Sequence, residues 1–195
     1  MGVYPALYRL GIRPWERYGS GAGPQIEAAF DRERAEWPTP PGRALDIGCG
    51  RGMQTPKLAE RGWEAVGIDL VPSAVEHARG HDRSGARFEV ADVTRLPASL
   101  GRFEHFVDIG CFQTLGSAQR SAAARSITAL ASPGATLLML AFGQVWFSYE
   151  GVSRGQVEEA FADWQLVSAE PAPTTGLGWP LDRTEPMWFR MRLRA

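Results

Sequence analysis

The chain contains no asparagine and one lysine, Lys57, so nearly all of its 21 basic residues are arginine. That bias looks like the codon usage of a GC-rich genome, not a binding feature. Acidic residues number 22, which leaves a net charge of −1 and removes the electrostatic case for a nucleic-acid partner. There are only two cysteines, Cys49 and Cys111, each beside a glycine in an apolar context, so no disulfide framework is expected. No run approaches the ~20 apolar residues of a membrane span. The longest, residues 135–142, has the length of a strand. The first ten residues lack the charged leader and apolar core of a secretory signal. These absences together predict a soluble cytoplasmic protein.

What is present suits one domain. A chain of 195 residues can bury roughly 70% of its unfolded surface around a single core. Residues 1–23, rich in Tyr, Trp, Gly and Pro, read as an irregular or partly helical arm. Pro24 can open a helix reaching about Glu36, with Ile26, Ala29, Phe30 and Trp37 at helical spacing. Strands and helices then alternate. Strands are expected at 43–47, 63–68, 87–90, 103–109 and 135–142, and helices at 55–61, 72–79 and 117–131, the last ended by Ser132-Pro133-Gly134. A helix at 154–161 and strands at 165–169 and 187–193 complete the pattern, the turn-rich stretch 171–186 allowing the final pair to form a long hairpin. Such alternation implies an α/β fold: a doubly wound, mostly parallel, seven-stranded Rossmann-like sheet with a C-terminal antiparallel hairpin. No repeat or linker divides it.

The richest stretch is Ala44-Leu45-Asp46-Ile47-Gly48-Cys49-Gly50-Arg51-Gly52. An apolar strand ends in an acid, and three glycines follow at alternate positions. A loop almost free of side chains lets a ligand reach main-chain N–H groups, with the positive end of the next helix behind it. The acid favours a cationic amine over a pyrophosphate. Ligands of open α/β sheets bind outside the carboxyl ends of the strands. There the second strand ends in Asp69 and the third in Asp92, giving acids on three consecutive strand ends. Asp69, 19 residues beyond Gly50, suits a ribose diol, since a carboxylate accepts from both hydroxyls. A nicotinamide dinucleotide is the competing ligand. It expects G-x-G-x-x-G, whereas the third glycine here comes one place early, and Asp46 would repel a diphosphate.

The segments Leu45–Gly52, Val66-Gly67-Ile68-Asp69, Ala91-Asp92-Val93 and Ser132-Pro133-Gly134-Ala135 resemble, in order and spacing, those of class I S-adenosylmethionine-dependent methyltransferases. The wider pattern is similar to the small thiopurine and tellurite-resistance type. Pro14-Trp15-Glu16 matches that group's arm, and Asp108-Ile109-Gly110-Cys111-Phe112-Gln113 matches its Asp-x-Gly-x-Phe-His, with Gln113 where histidine is common. The resemblance implies a single domain over 1–195. Residues 1–37 would form arm, helix and part of a lid, 43–142 a cofactor-binding core, and 143–195 a substrate side. It also implies S-adenosylmethionine as cofactor. Asp46, Gly48, Cys49 and Gly50 would hold its amino acid part and Asp69 its ribose. Leu70 would pack on the adenine, Asp92 would accept from its amino group, and the Val93 N–H would donate to a ring nitrogen. Gly110 would let the backbone pass close to the methionine end, and Trp15 would cover the cofactor from the arm. Gln113 is the candidate catalytic side chain. Tyr8, Tyr18, Phe142, Trp146, Phe147 and Trp179 are the candidate substrate contacts, which suggests a flat, apolar small molecule.

Other residues have plainer readings. Arg51, His77 and His81 read as solvated, and Cys49 and Cys111 as packing thiols instead of nucleophiles. His105 opens the fourth strand at the end away from the site. Trp37, Trp63, Trp164 and Trp188 read as packing residues. The function expected is methyl transfer to an O, N or S atom of a small molecule, without metal. The alternatives are a protein that binds S-adenosylmethionine without transferring its methyl group, and a nicotinamide-dependent reductase.

Overall fold

The structure, a computed structural model, describes residues 22–38, 40–143, 151–174, 183 and 185–194. Its strands are β1 (Arg43–Ile47), β2 (Glu64–Asp69), β3 (Arg87–Val90), β4 (Phe103–Ile109), β5 (Ala131–Ala141), β6 (Trp164–Pro171) and β7 (Met187–Leu193). Its helices are α1 (Gly23–Ala35), α2 (Thr55–Glu60), α3 (Pro72–His81), α4 (Ser117–Ala129) and α5 (Arg154–Ala160). They form one seven-stranded sheet in the order β3-β2-β1-β4-β5-β7-β6. β1 to β5 are parallel, and β7 runs antiparallel to both β5 and β6. The doubly wound sheet and the C-terminal hairpin therefore match expectation, with the hairpin's second strand inserted next to β5.

Local sequence chemistry starts the helices. α1, α2 and α3 each carry proline in the first two positions, where its missing N–H leaves no bond unmade. α5 is opened by a reciprocal cap: Ser153 Oγ accepts the Gln156 N–H and Gln156 Oε1 accepts the Ser153 N–H.

Alternation along each strand divides the core into two layers. On one face, Ala44, Ala65, Val107, Leu138 and Leu140 meet α1 and α2 through Ile26, Phe30, Leu58 and Trp63. On the other, Leu45, Ile47, Phe106, Leu137 and Met139 meet α4 and α5 through Ala124, Ile127, Val157 and Phe161. Trp37, just past α1, lies edge-on to Trp63 with ring centroids 5.6 Å apart, and Trp164 Nε1 donates to Thr128 Oγ1. Those three tryptophans are packing residues.

One boundary differs from expectation. Ser132-Pro133-Gly134 does not separate α4 from β5 but lies within the strand. β4 and β5 pair at Phe103–Ala131 and resume at His105–Thr136, so extra residues of β5 are accommodated there as a bulge, with Gly134 at φ +74°. Proline and glycine disfavour ladder pairing yet fit a bulge, so the break read from composition is a break in register only.

Candidate active site

The carboxyl ends of β1, β2 and β4 and the turn after β3 bring Asp46, Asp69, Asp108 and Asp92 to one edge of the sheet. Asp46 is 2% exposed, and its Oδ2 accepts the Thr55 hydroxyl at 2.6 Å. Asp69 ties the glycine loop to the exit of β2: Oδ2 accepts the Gly50 N–H at 2.9 Å and Oδ1 the Val71 N–H at 2.8 Å. Asp108 holds the turn after β4, accepting the Cys111 N–H at 2.8 Å and the Phe112 N–H at 3.0 Å. Asp92 accepts the Thr94 N–H and hydroxyl at 2.9 and 2.7 Å, with Arg95 Nε 3.3 Å away.

Electrostatically the four divide. Burial, with the Asp69 charge adding, pushes Asp46 up to about 7 against the Thr55 hydroxyl. Burial, with Asp46 adding, pushes Asp108 up to about 7 against its backbone N–H donors. Asp69 is raised by burial against the amides of Val71 and Gly50. Among the described residues no cation enters the balance at any of these three. Asp92 differs: burial works upward, but its Thr94 and Arg95 partners hold it below the usual carboxylate range. Two buried acids and the half-buried Asp69, with no described cation among them, make a sheet edge that favours a positively charged ligand.

The glycine loop beside them is shaped by contact. Gly48, Gly50 and Gly52 all have left-handed φ, at +70°, +54° and +82°. A Cβ on Gly48 would stand 2.6 Å from the Cys111 Cβ, and one on Gly67 of β2 would stand 2.6 Å from Thr55 Oγ1. These positions admit only hydrogen. Gly110, at φ +85°, is different: among the described residues a Cβ there would only touch Gln113 Nε2 and Phe142 Cε2, both at 3.9 Å. The half-buried backbone at Gly110 is thus bare between an amide and an aromatic edge. Leu70, beside Asp69, is 53% exposed, an apolar face in water next to a carboxylate. Gln54, 6% exposed, leaves Oε1 without a partner among the described residues, a buried acceptor at the end of the loop. Acids with no cation among the described residues, backbone cleared of side chains and an exposed apolar side chain fit a ligand that is cationic at one end and a nucleoside at the other.

Several expectations are revised. Cys49 does not offer its backbone to a ligand: its N–H donates to Ile68 and its C=O accepts from Gly52, so it shapes the loop. Both thiols are raised by burial and by the surrounding acids, which leaves them as packing groups. The helix after the loop is a single six-residue segment beginning at Thr55, too short and too far along to bring a strong positive end to the loop. Arg51 is not simply solvated, since Nη2 lies 2.8 and 3.1 Å from the two ring nitrogens of His77, which stacks on His81 at 3.8 Å. Gln113 is engaged: its Oε1 accepts the Phe142 N–H at 2.5 Å. Val93 is half-buried beside the core. His105 lies in the core at the amino-end side of β4, with Nδ1 2.8 Å from Thr136 Oγ1 and its ring stacked on Trp63. Tyr8, Trp15, Tyr18, Trp146, Phe147 and Trp179 fall outside the described residues. Sequence reasoning missed Thr55, the hydroxyl partner of Asp46, and Arg120, a buried guanidinium bridging the Gln113 and Gly151 carbonyls at 2.9 and 2.6 Å. Only the position of Thr55 at the start of α2 hinted at the first, and nothing local pointed to the second.

Residues 44–134 match the family described as a methyltransferase domain. A 2-heptyl-1-hydroxyquinolin-4(1H)-one methyltransferase of Mycobacteroides abscessus is 34% identical over 110 residues, 54% of this chain and 48% of that protein. The chain thus spans about half the length of that relative. A solved TehB-like methyltransferase of Corynebacterium glutamicum superposes with a TM-score of 0.66 at 20% identity, over 86% of this chain and 87% of the other. Magnesium protoporphyrin IX methyltransferase of Synechocystis reaches 0.73 at 13% identity, over 92% and 86%. The fold is that of S-adenosylmethionine-dependent methyltransferases of known structure, and the segment 44–134 is similar to a methyltransferase domain.

Proposed function

We propose that this methyltransferase domain binds S-adenosylmethionine across the carboxyl ends of β1 to β4 and transfers its methyl group to an O, N or S atom of a small, flat or apolar molecule. The observation that carries the reading is the set Asp46 and Asp108, buried, and Asp69, half-buried, with no cation among the described residues and beside backbone cleared of side chains. When bound, the cofactor supplies an electrophilic methyl carbon on a cationic sulfur.

The chain's own groups do the rest. Asp46, buried below the loop, supplies negative charge to the ammonium end, with Gly48 and Gly50 as the backbone around it. Asp69 keeps lone pairs free beyond its two N–H donors, enough to accept from ribose hydroxyls. Leu70 offers the face for adenine. Asp92 accepts from the adenine amino group and the Val93 N–H donates to a ring nitrogen. Gly110 lets the methionine end approach, Trp15 covers it from the arm, and Cys49 acts only through the shape of the loop. Acceptor binding falls to Tyr8, Tyr18, Phe142, Trp146, Phe147 and Trp179, with Gln113 at the junction. Alignment and exclusion of water can provide much of the rate for such a transfer.

The Mycobacteroides relative is named for a hydroxyquinolone, a flat heteroaromatic with an apolar tail, and an acceptor of that kind suits this site. We further place the protein in the cytoplasm as a single domain, working on a small molecule and not on nucleic acid, in line with its net charge of −1. No helix among the described residues is long and apolar enough to cross a membrane, and none of their His, Cys, Asp and Glu side chains group as metal ligands. The test is formation of S-adenosylhomocysteine over a panel of phenols, thiols and N-heterocycles. Cofactor binding with no turnover on any of them would favour a binding protein without transferase activity.

A further inference from the structure

The backbone after β4 turns through Gly110 and Cys111 into a single 3-10 turn, Phe112–Thr114, that carries Gln113. Because a backbone N–H can only donate, the Phe142 bond fixes which end of the Gln113 amide is oxygen. Nε2, with its two hydrogens, is thereby left on the Gly110 side, 3.9 Å from where a Cβ on Gly110 would stand. The main chain of the same residue is braced as well: the Gln113 backbone C=O accepts from Arg120 Nη2 at 2.9 Å and from the Gly151 N–H at 3.3 Å. Arg120 is itself buried beside the Phe112 ring, with no carboxylate within 4 Å among the described residues. The other titratable groups of this turn are Asp108 and Cys111. Asp108 is buried beneath it, 1% exposed, with both oxygens directed at the Cys111 and Phe112 amides, and the Cys111 thiol is held neutral by burial. The space over Gly110 is thus faced by a fixed neutral donor with a buried cation behind it, and by no described base.

We propose that the acceptor reaches this space already ionised, as the anion of an acidic phenol, a thiol or an N-hydroxy heteroaromatic, and that Gln113 Nε2 donates to the anionic atom or to an oxygen beside it. This rests on the methyl transfer proposed above. The acceptor's lone pair forms the new bond to the methyl carbon while the carbon–sulfur bond breaks and its electron pair goes to sulfur. Anion and sulfonium cancel, the products are a neutral methyl ether or thioether and a neutral sulfide, and no proton need be taken up by the protein. Gln113 then has two separable roles, Oε1 holding the Phe142 backbone and Nε2 orienting the nucleophile.

The experiment measures S-adenosylhomocysteine formation for matched phenols and thiols of graded acidity between pH 6 and 9, with the wild type and with Gln113→Glu and Gln113→Met. The expected result is that kcat/KM for each acceptor rises with pH to a midpoint that follows that acceptor's own pKa. Gln113→Glu keeps an oxygen for the Phe142 N–H but replaces the donor with a carboxylate. It should lose roughly 10- to 100-fold in kcat/KM, the size of a hydrogen bond to a charged group, while cofactor affinity stays within about twofold. Gln113→Met should lose at least as much, with the pH midpoints unmoved. One common midpoint for all acceptors, or a Gln113→Glu enzyme as active as the wild type, would overturn the proposal and leave the transferase reading standing. Transfer to no acceptor, with cofactor bound, would overturn both.

Discussion

At the scale of single residues, the decisive feature is where carboxylates lie and what they lack. Asp46 and Asp108 are pushed up to about 7 chiefly by burial, each raised further by a neighbouring carboxylate. A cation brought to this edge favours their ionised forms, so cofactor binding below about pH 7 should release protons. Asp46→Asn removes the charge while keeping an acceptor for Thr55. It should weaken S-adenosylmethionine binding by roughly 10-fold or more and flatten its pH dependence, which calorimetry at two pH values measures. Thr55→Val, which strands the buried Asp46 oxygen, should act in the same direction and also cost about 1–3 kcal/mol of stability by urea denaturation. Asp46, Asp69 and Asp92 were readable from sequence because an acid that ends an apolar strand must emerge at the sheet edge. Thr55 was not, because its contact depends on how the first turn of α2 sits on β2 at Gly67.

At the scale of elements, the glycine loop and the C-terminal hairpin lead to separate expectations. Gly48→Ala would force a Cβ into Cys111 at 2.6 Å in a left-handed conformation, so it should abolish cofactor binding as well as lower stability. Gly85→Ala, also left-handed at φ +82° but with nothing within 4 Å, should cost only about 1–2 kcal/mol of strain and leave binding intact. Thermal melts and cofactor titrations of the two variants separate packing from conformation. The hairpin is tied to α1 by an ion-pair cluster: Arg190 of β7 meets Glu33, buried on α1, and Glu36 at its end. Arg190→Met should cost about 3–5 kcal/mol by leaving Glu33 buried and unpaired, and a second change, Glu33→Leu, should restore most of it in denaturant titration. The two partners are 157 residues apart, so no local pattern could announce them. Strand and helix positions, by contrast, followed from periodicity and proline placement, and the one boundary misread, at Ser132-Pro133-Gly134, turned on a bulge that composition cannot distinguish from a turn.

At the scale of the whole molecule, two buried groups of opposite type set how stability varies with pH. His105 is held down to about 3 by burial, with Arg190 adding to the effect. Its folded value lies below its ordinary one, so its neutral form contributes stability above about pH 6.5 that is lost as pH falls toward 3. Asp46 and Asp108 have the reverse sign. Their folded values lie above the ordinary carboxylate value, so the cofactor-free protein loses stability as pH rises from about 4 to 7. Bound cofactor should offset that second loss, so the rise in melting temperature it produces should grow between pH 6 and 8. A constant rise across that range would contradict the electrostatic reading of the site. In the proposed function the acids, the shaped loop and the bare backbone at Gly110 act as one device: one side would grip a cation by its charge, the other would receive an acceptor. The most direct test is calorimetric titration of the wild-type protein with S-adenosylmethionine and, separately, with NAD, at pH 6 and pH 8. The expected result is one site for S-adenosylmethionine, tighter at pH 8, with proton release at pH 6 and no heat from NAD. Binding of NAD with no response to S-adenosylmethionine would contradict it.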